Sequence, residues 1–93
     1  MIVGIYQIEL FIPESNSLKS KRFIIKSLKT RIRNKFNVSI AEVGENDKWQ
    51  RAVLGVAAVT NDKKLIDSIF NQIKNIITSD VKVELIDHFI DIY

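Results

Sequence analysis

Apolar residues recur along this chain with two periods, and the switches between the two outline six elements. Residues 2–12 alternate: Ile2, Gly4, Tyr6, Ile8, Leu10 and Ile12 form an almost wholly apolar set, while Val3, Ile5, Gln7, Glu9 and Phe11 are mixed. That pattern predicts a strand with one buried face, ended by Pro13. Ser15-Asn16-Ser17 supplies N-cap oxygens, and a helical period follows to about Phe36. At 100° per residue, Leu18, Ile24, Ile25, Leu28, Ile32 and Phe36 share an arc of about 120°. Asn37 then reads as a left-handed stop.

Val38–Val43 and Gln50–Thr60 read as two further strands, and the turn formers Gly44-Glu45-Asn46-Asp47-Lys48 between them predict an antiparallel hairpin. The second of these is apolar on both alternations, as a central strand is. Thr60-Asn61-Asp62 caps a second helix to about Thr78, whose Leu65, Ile66, Ile69, Phe70, Ile73, Ile76 and Ile77 fill an arc of about 140°. Ser79-Asp80 turns the chain into a last strand, Val81–Ile92. The order β-α-β-β-α-β is the split βαβ arrangement. Right-handed crossovers place the first and third strands in the middle. The expected fold is a ferredoxin-like α+β sandwich, a four-stranded antiparallel sheet with both helices on one face, as a single domain over residues 1–93.

Composition narrows the function classes. With 46% hydrophobic residues, 3 Gly and 1 Pro, the chain is suited to a core rather than to disorder. No Cys is present, which excludes a disulfide framework, a thiolate nucleophile and a Cys-based metal site. The longest apolar run, Ala52–Val59, falls well short of the roughly 20 residues of a membrane span. The expectation is a cytoplasmic domain with no membrane partner.

Charge changes the picture most. Between Glu14 and Glu42 stand eight cations, Lys19, Lys21, Arg22, Lys26, Lys29, Arg31, Arg33 and Lys35, with no acid among them. Elsewhere six cations face eleven acids. On the first predicted helix, Lys19, Arg22, Lys26, Lys29 and Arg33 project within about 80° of one another beside the core face, and Phe23 points outward next to them. Solvated helix faces usually mix signs, because Glu–Lys pairs at i,i+4 add stability. A stripe that excludes every acid accepts self-repulsion, as a surface for a polyanion does. These six residues are the candidate nucleic-acid contacts.

The sheet face away from the helices is expected to carry Val3, Ile5, Gln7, Glu9 and Phe11 beside Arg51, Val53, Gly55, Ala57 and Val59, too apolar for open water. An RNA-recognition motif would place aromatics on both central strands here. This chain has Gly, Ala and Val on the third, so self-association is the better reading of Val3, Ile5, Val53 and Val59. Trp49 and Arg51 open that strand. As interface residues they would seal a contact and clamp an anion. The preferred reading is structural, with Trp49 as a lid over the core edge and Arg51 paired across strands to Glu42 or Glu9.

Trp49-Gln50-Arg51-Ala52 with Leu54-Gly55-Val56-Ala57 also carries a family likeness, together with Ser17-Leu18-Lys19-Ser20-Lys21-Arg22 and Phe36-Asn37-Val38-Ser39-Ile40-Ala41-Glu42-Val43. In these three collinear blocks the chain resembles the YlxP-like family of small bacterial proteins over essentially its whole length. The resemblance implies a ferredoxin-like fold and a cytosolic bacterial setting, with genes often near those for translation initiation and ribosome maturation. It implies no settled activity. Two positions depart from the pattern: Ser20 stands where many relatives have Glu, and Glu45 where relatives often carry His.

No catalytic or metal-ligating set emerges. His88 is the only histidine, and Asp87 and Asp91 do not share its alternation. Glu42, Glu45 and Asp47 read as a polar turn. An acylphosphatase-like enzyme would need an Arg-bearing, Gly-rich loop after the first strand, where this chain has Ile12-Pro13-Glu14-Ser15-Asn16-Ser17. The expectation is a non-enzyme without cofactor or small-molecule substrate, binding RNA or the ribosome and self-associating. The alternative is a homo-oligomeric structural or regulatory module that engages an acidic protein.

Overall fold

The computed structural model describes residues Met1–Tyr93. The elements are β1 (Ile2–Phe11), α1 (Leu18–Lys35), β2 (Ser39–Gly44), β3 (Arg51–Thr60), α2 (Lys63–Thr78) and β4 (Glu84–Ile92). The strands form one antiparallel sheet in the order β2-β3-β1-β4. This is the ferredoxin-like β-α-β-β-α-β sandwich that the periodicities predict.

One core joins all six elements. Tyr6, Ile8 and Leu10 of β1 and Ala52, Leu54, Val56 and Ala58 of β3 point toward the helices. Ile25, Leu28 and Ile32 of α1 meet them, as do Ile66, Phe70, Ile73 and Ile77 of α2. Gly4 lets α2 approach the β1 backbone: a Cβ there would lie 2.5 Å from Ile66 Cγ2 and 2.9 Å from Phe70 Cε2. Any side chain at this position would overpack the contact.

The helix starts follow from their caps. Ser17 Oγ accepts the Ser20 N–H at 3.0 Å, and Asp62 Oδ1 accepts the Lys64 N–H at 2.9 Å. Three local expectations are corrected. Asn37 is not a left-handed stop. Instead α1 ends because Phe36 turns extended (φ −131°, ψ 146°) as the chain enters β2, and its ring packs against the core. Val81 is almost fully exposed and lies outside β4, because the Asp80 side chain and carbonyl hold residues 80–83 in a turn. Leu65, in the first turn of α2, is half exposed at the rim of the core.

Candidate nucleic-acid interface

Seven of the eight cations of α1 divide into three groups by what they touch, and the eighth, Lys35, stands 5.6 Å from the centre of the Phe36 ring at the end of the helix. The first is Lys21 alone, which is 1% exposed. Its ammonium donates to the carbonyls of Glu45 at 2.8 Å, Asn46 at 3.4 Å and Arg51 at 3.1 Å, and stands 2.9 Å from Glu42 Oε2. An ammonium has three protons. All three are directed at carbonyls, so buried Glu42 Oε2 is neutralised by proximity without receiving an aligned hydrogen bond. Glu45, the one non-glycine residue with positive φ (61°), turns its carbonyl into this cluster. Lys21 therefore fastens α1 to both ends of the β2–β3 hairpin loop.

The second group is tied down at the surface. Arg31 pairs with Asp80 in the α2–β4 turn. Arg33 Nη2 donates to the Ile40 carbonyl of β2 at 2.6 Å. This revises the stripe, because Arg33 anchors α1 to the sheet edge and does not stand free.

The third group is Lys19, Arg22, Lys26 and Lys29. None takes part in the three salt bridges of the chain, Lys21–Glu42, Arg31–Asp80 and Arg51–Glu9. Lys19, Arg22 and Lys26 are exposed and Lys29 is half-buried. At 1.5 Å rise per residue, the row from Lys19 to Lys29 is about 15 Å long. Phe23 lies beside it, 71% exposed. Its ring borders a depression of about 350 Å³ lined also by Lys26, Ser27, Thr30 and Arg31. Free cations, hydroxyls and an aromatic ring thus share the outer side of one helix.

The open sheet face carries the predicted residues. The β1–β3 register sets Val3 opposite Val59, Ile5 opposite Ala57, Glu9 opposite Val53 and Phe11 opposite Arg51. Val3, Ile5 and Val53 are half-buried, whereas Val59 is exposed. Val43 of β2 covers Gly55, where a Cβ would lie 3.1 Å from its Cγ1. Arg51 pairs with Glu9 at 3.0 Å, one of its two expected partners, and Glu42 belongs to Lys21 instead. Trp49 is not a lid over the core edge. It stands 57% exposed in the hairpin loop, over a depression of about 380 Å³ that it lines with Asp47, Lys48, Gln50 and Arg51. The reason lies next to it: Gln50 binds both Ile12 N–H and the Pro13 carbonyl and closes that edge of the core.

His88 lies on the helix-side alternation of β4, and its Nδ1 is 3.0 Å from Tyr6 Oη. Burial pushes the Tyr6 phenol above its ordinary value.

Helical spacing alone puts the free row on one side of α1, but sequence reasoning missed the Lys21 anchor. The signal was present: Lys21 falls within the apolar arc of α1, and Glu42 shares the inward alternation of β2 with Ile40.

Fold and surface together define a small ferredoxin-like α+β protein with a basic helix. The chain belongs to the family described as Protein of unknown function (DUF503), whose profile matches residues 3–90. It is 37% identical over 83 residues to the "Uncharacterized protein YlxP" of Bacillus subtilis (strain 168), covering 89% of this chain and 90% of that one. Among solved structures it is similar to a de novo designed protein with ferredoxin fold. That likeness has a TM-score of 0.52 at 14% identity and covers 100% of this chain and 84% of the other. No helix is long and apolar enough to cross a membrane.

Proposed function

We propose that this protein is a non-catalytic, cytoplasmic RNA-binding or ribosome-associated factor that lays α1 along a phosphate backbone. The observation that carries the reading is the row of four unpaired cations, Lys19, Arg22, Lys26 and Lys29, on a helix whose other cations have partners or sit outside the row. Their span of about 15 Å equals about four steps of the roughly 3.4 Å axial charge spacing of one duplex-DNA strand, and four cations can neutralise four phosphates. Contacts of this kind position a backbone without reading sequence. The gene setting of the resembled family supports ribosomal RNA as the polymer. The test is anisotropy with a ribosomal RNA fragment and a generic duplex at rising salt. Four phosphate contacts predict a fall in log affinity of about 3–4 per decade of salt. Absent or salt-independent binding rejects the reading.

A homo-oligomeric module that engages an acidic protein is the second reading, favoured by the apolar open face with exposed Val43, Val59 and Phe89. Two copies would join through that face or by strand addition at an edge. If the face is the joint, Val53→Glu yields a folded monomer by light scattering at about 100 µM, where interfaces of micromolar affinity are still assembled. An unchanged mass rejects the face as the joint.

A further inference from the structure

Phe23 has no task inside the fold. It is neither in the core nor among the apolar residues packed against it, and its ring pairs with no other aromatic or cation of the chain. A lone exposed phenyl is ordinary on a protein surface. The setting of this one is not. Its helical neighbours three and four residues away are Lys19, Ser20, Lys26 and Ser27, every one polar. The small Ser27 separates it from Arg31 along the same side of α1, and a hollow opens on each flank of that line. The larger, of about 350 Å³, reaches Lys26 of the free row and Thr30. The other, of about 260 Å³, reaches Ile24, Asp80 and Lys82. Asp80 pairs with the Arg31 guanidinium and also accepts the Lys82 N–H at 2.9 Å, so this cation is held in place and already neutralised.

We infer that the hollow beside Lys26 receives an unpaired RNA base, stacked on the Phe23 ring and edged by Ser27, Thr30 and Arg31, while the phosphates of the same strand follow Lys19, Arg22, Lys26 and Lys29. The inference rests on the reading of α1 as an RNA surface and names what that surface selects: single-stranded over duplex RNA. In a duplex the bases stack on one another, and the deep, narrow major groove of A-form RNA is closed to side chains. A phenyl on the outside of a helix then finds no free ring face. In a single strand the bases splay out and stack on aromatic side chains, each presenting a flat face whatever its identity. Arg31, with its charge met by Asp80, suits the plane of a base better than a phosphate, because guanidinium groups stack on flat rings. The hydroxyls of Ser27 and Thr30 supply donors and acceptors for a base edge. An acidic protein would satisfy the cations but not the ring, since aromatic anchors of protein interfaces work in desolvated, well-packed pockets and Phe23 has only polar neighbours around it.

The test compares a labelled single-stranded oligoadenylate of about ten nucleotides, within the usual range of single-strand sites, with a self-complementary RNA duplex. Phe23→Ala should weaken the single strand about 5–150-fold, the equivalent of about 1–3 kcal/mol for a stacked base, and leave duplex binding as it was. Its salt slope should not change, because the phenyl holds no phosphate. Phe23→Tyr should retain the affinity. Since Phe23 lies outside the core, circular dichroism should show both variants folded. A second readout uses the single native Trp: in Phe23→Trp combined with Trp49→Phe the sole indole stands at the hollow, and its emission should be quenched by oligoadenylate and not by the duplex. Equal affinity of the parent chain for the two RNAs overturns the inference and leaves the cation row standing. So does a Phe23→Ala variant that binds oligoadenylate as tightly as the parent, or one that loses both RNAs alike. A parent chain that binds neither RNA overturns the reading of α1 as an RNA surface, and the inference with it.

Discussion

Replacing Lys21 by Met is expected to lower the free energy of unfolding by about 3–5 kcal/mol, the usual cost of removing one partner from a buried ion pair. The substitution keeps most of the buried stem and deletes only the charge. Glu42, whose side chain is 15% exposed and whose Oε2 already accepts no hydrogen bond, would then hold an unneutralised carboxylate. The carbonyls of Glu45, Asn46 and Arg51 would be left without their common donor. For a small chain whose whole stability is about 5–15 kcal/mol, this is a large share. Lys29→Met, on the same helix with no polar partner, should change stability by no more than about 0.5 kcal/mol. Adding Glu42→Leu to Lys21→Met should recover part of the deficit, because an apolar pair is often as stable as a buried ionic one. Urea denaturation measures all three. A Lys21→Met variant within about 1 kcal/mol of the parent, on a scale where surface changes reach about half that, would remove the anchor's energetic role.

Replacing Arg22, Lys26 and Lys29 together by Gln is expected to reduce the salt slope of RNA binding by about two to three units, since each phosphate left without its cation accounts for about 0.7–0.9. Stability should stay level or rise slightly. Lys26 and Lys29 are three residues apart, and Lys29 and the anchored Arg33 four apart, so like-charge repulsion along the helix is relieved. The changed residues form no ion pair within the chain, and circular dichroism should report an unaltered fold. An unchanged slope in the triple variant would reject the row as a nucleic-acid surface and favour an acidic protein partner.

The fold was legible because each element carries its own period. The inward set of β1 is almost wholly apolar, and both alternations of β3 are apolar because it lies inside the sheet. What failed were residues whose fate depends on distant neighbours. Nothing near Trp49 reveals that Gln50 reaches back to Ile12 and Pro13, leaving the indole outside. Arg33 looks like any member of a basic row until β2 brings the Ile40 carbonyl within reach. Lys21 was hidden by its own charge: counted among the eight cations, it received no place of its own, although its helical angle lies inside the apolar arc. The free row itself was readable, since the alignment of Lys19, Arg22, Lys26 and Lys29 depends only on helical spacing. Which polymer they meet, and whether two copies join, are questions of surface, and the periodicity that specifies a core has no bearing on them.

The burial of Lys21 also gives the molecule a chemical clock. The chain has ten lysines, and Lys21 alone among them is buried. Amine acylation needs a free, solvent-reached nitrogen, so a brief pulse of reagent on the native protein should modify the other nine first. Lys21 should react only when α1 parts from the hairpin loop. Its labelling rate, read by mass spectrometry, reports how often that joint opens, and RNA bound along the outer side of α1 should protect Lys19, Lys26 and Lys29 without altering it. A Lys21 that labels as fast as Lys26 would mean the joint is open much of the time in solution.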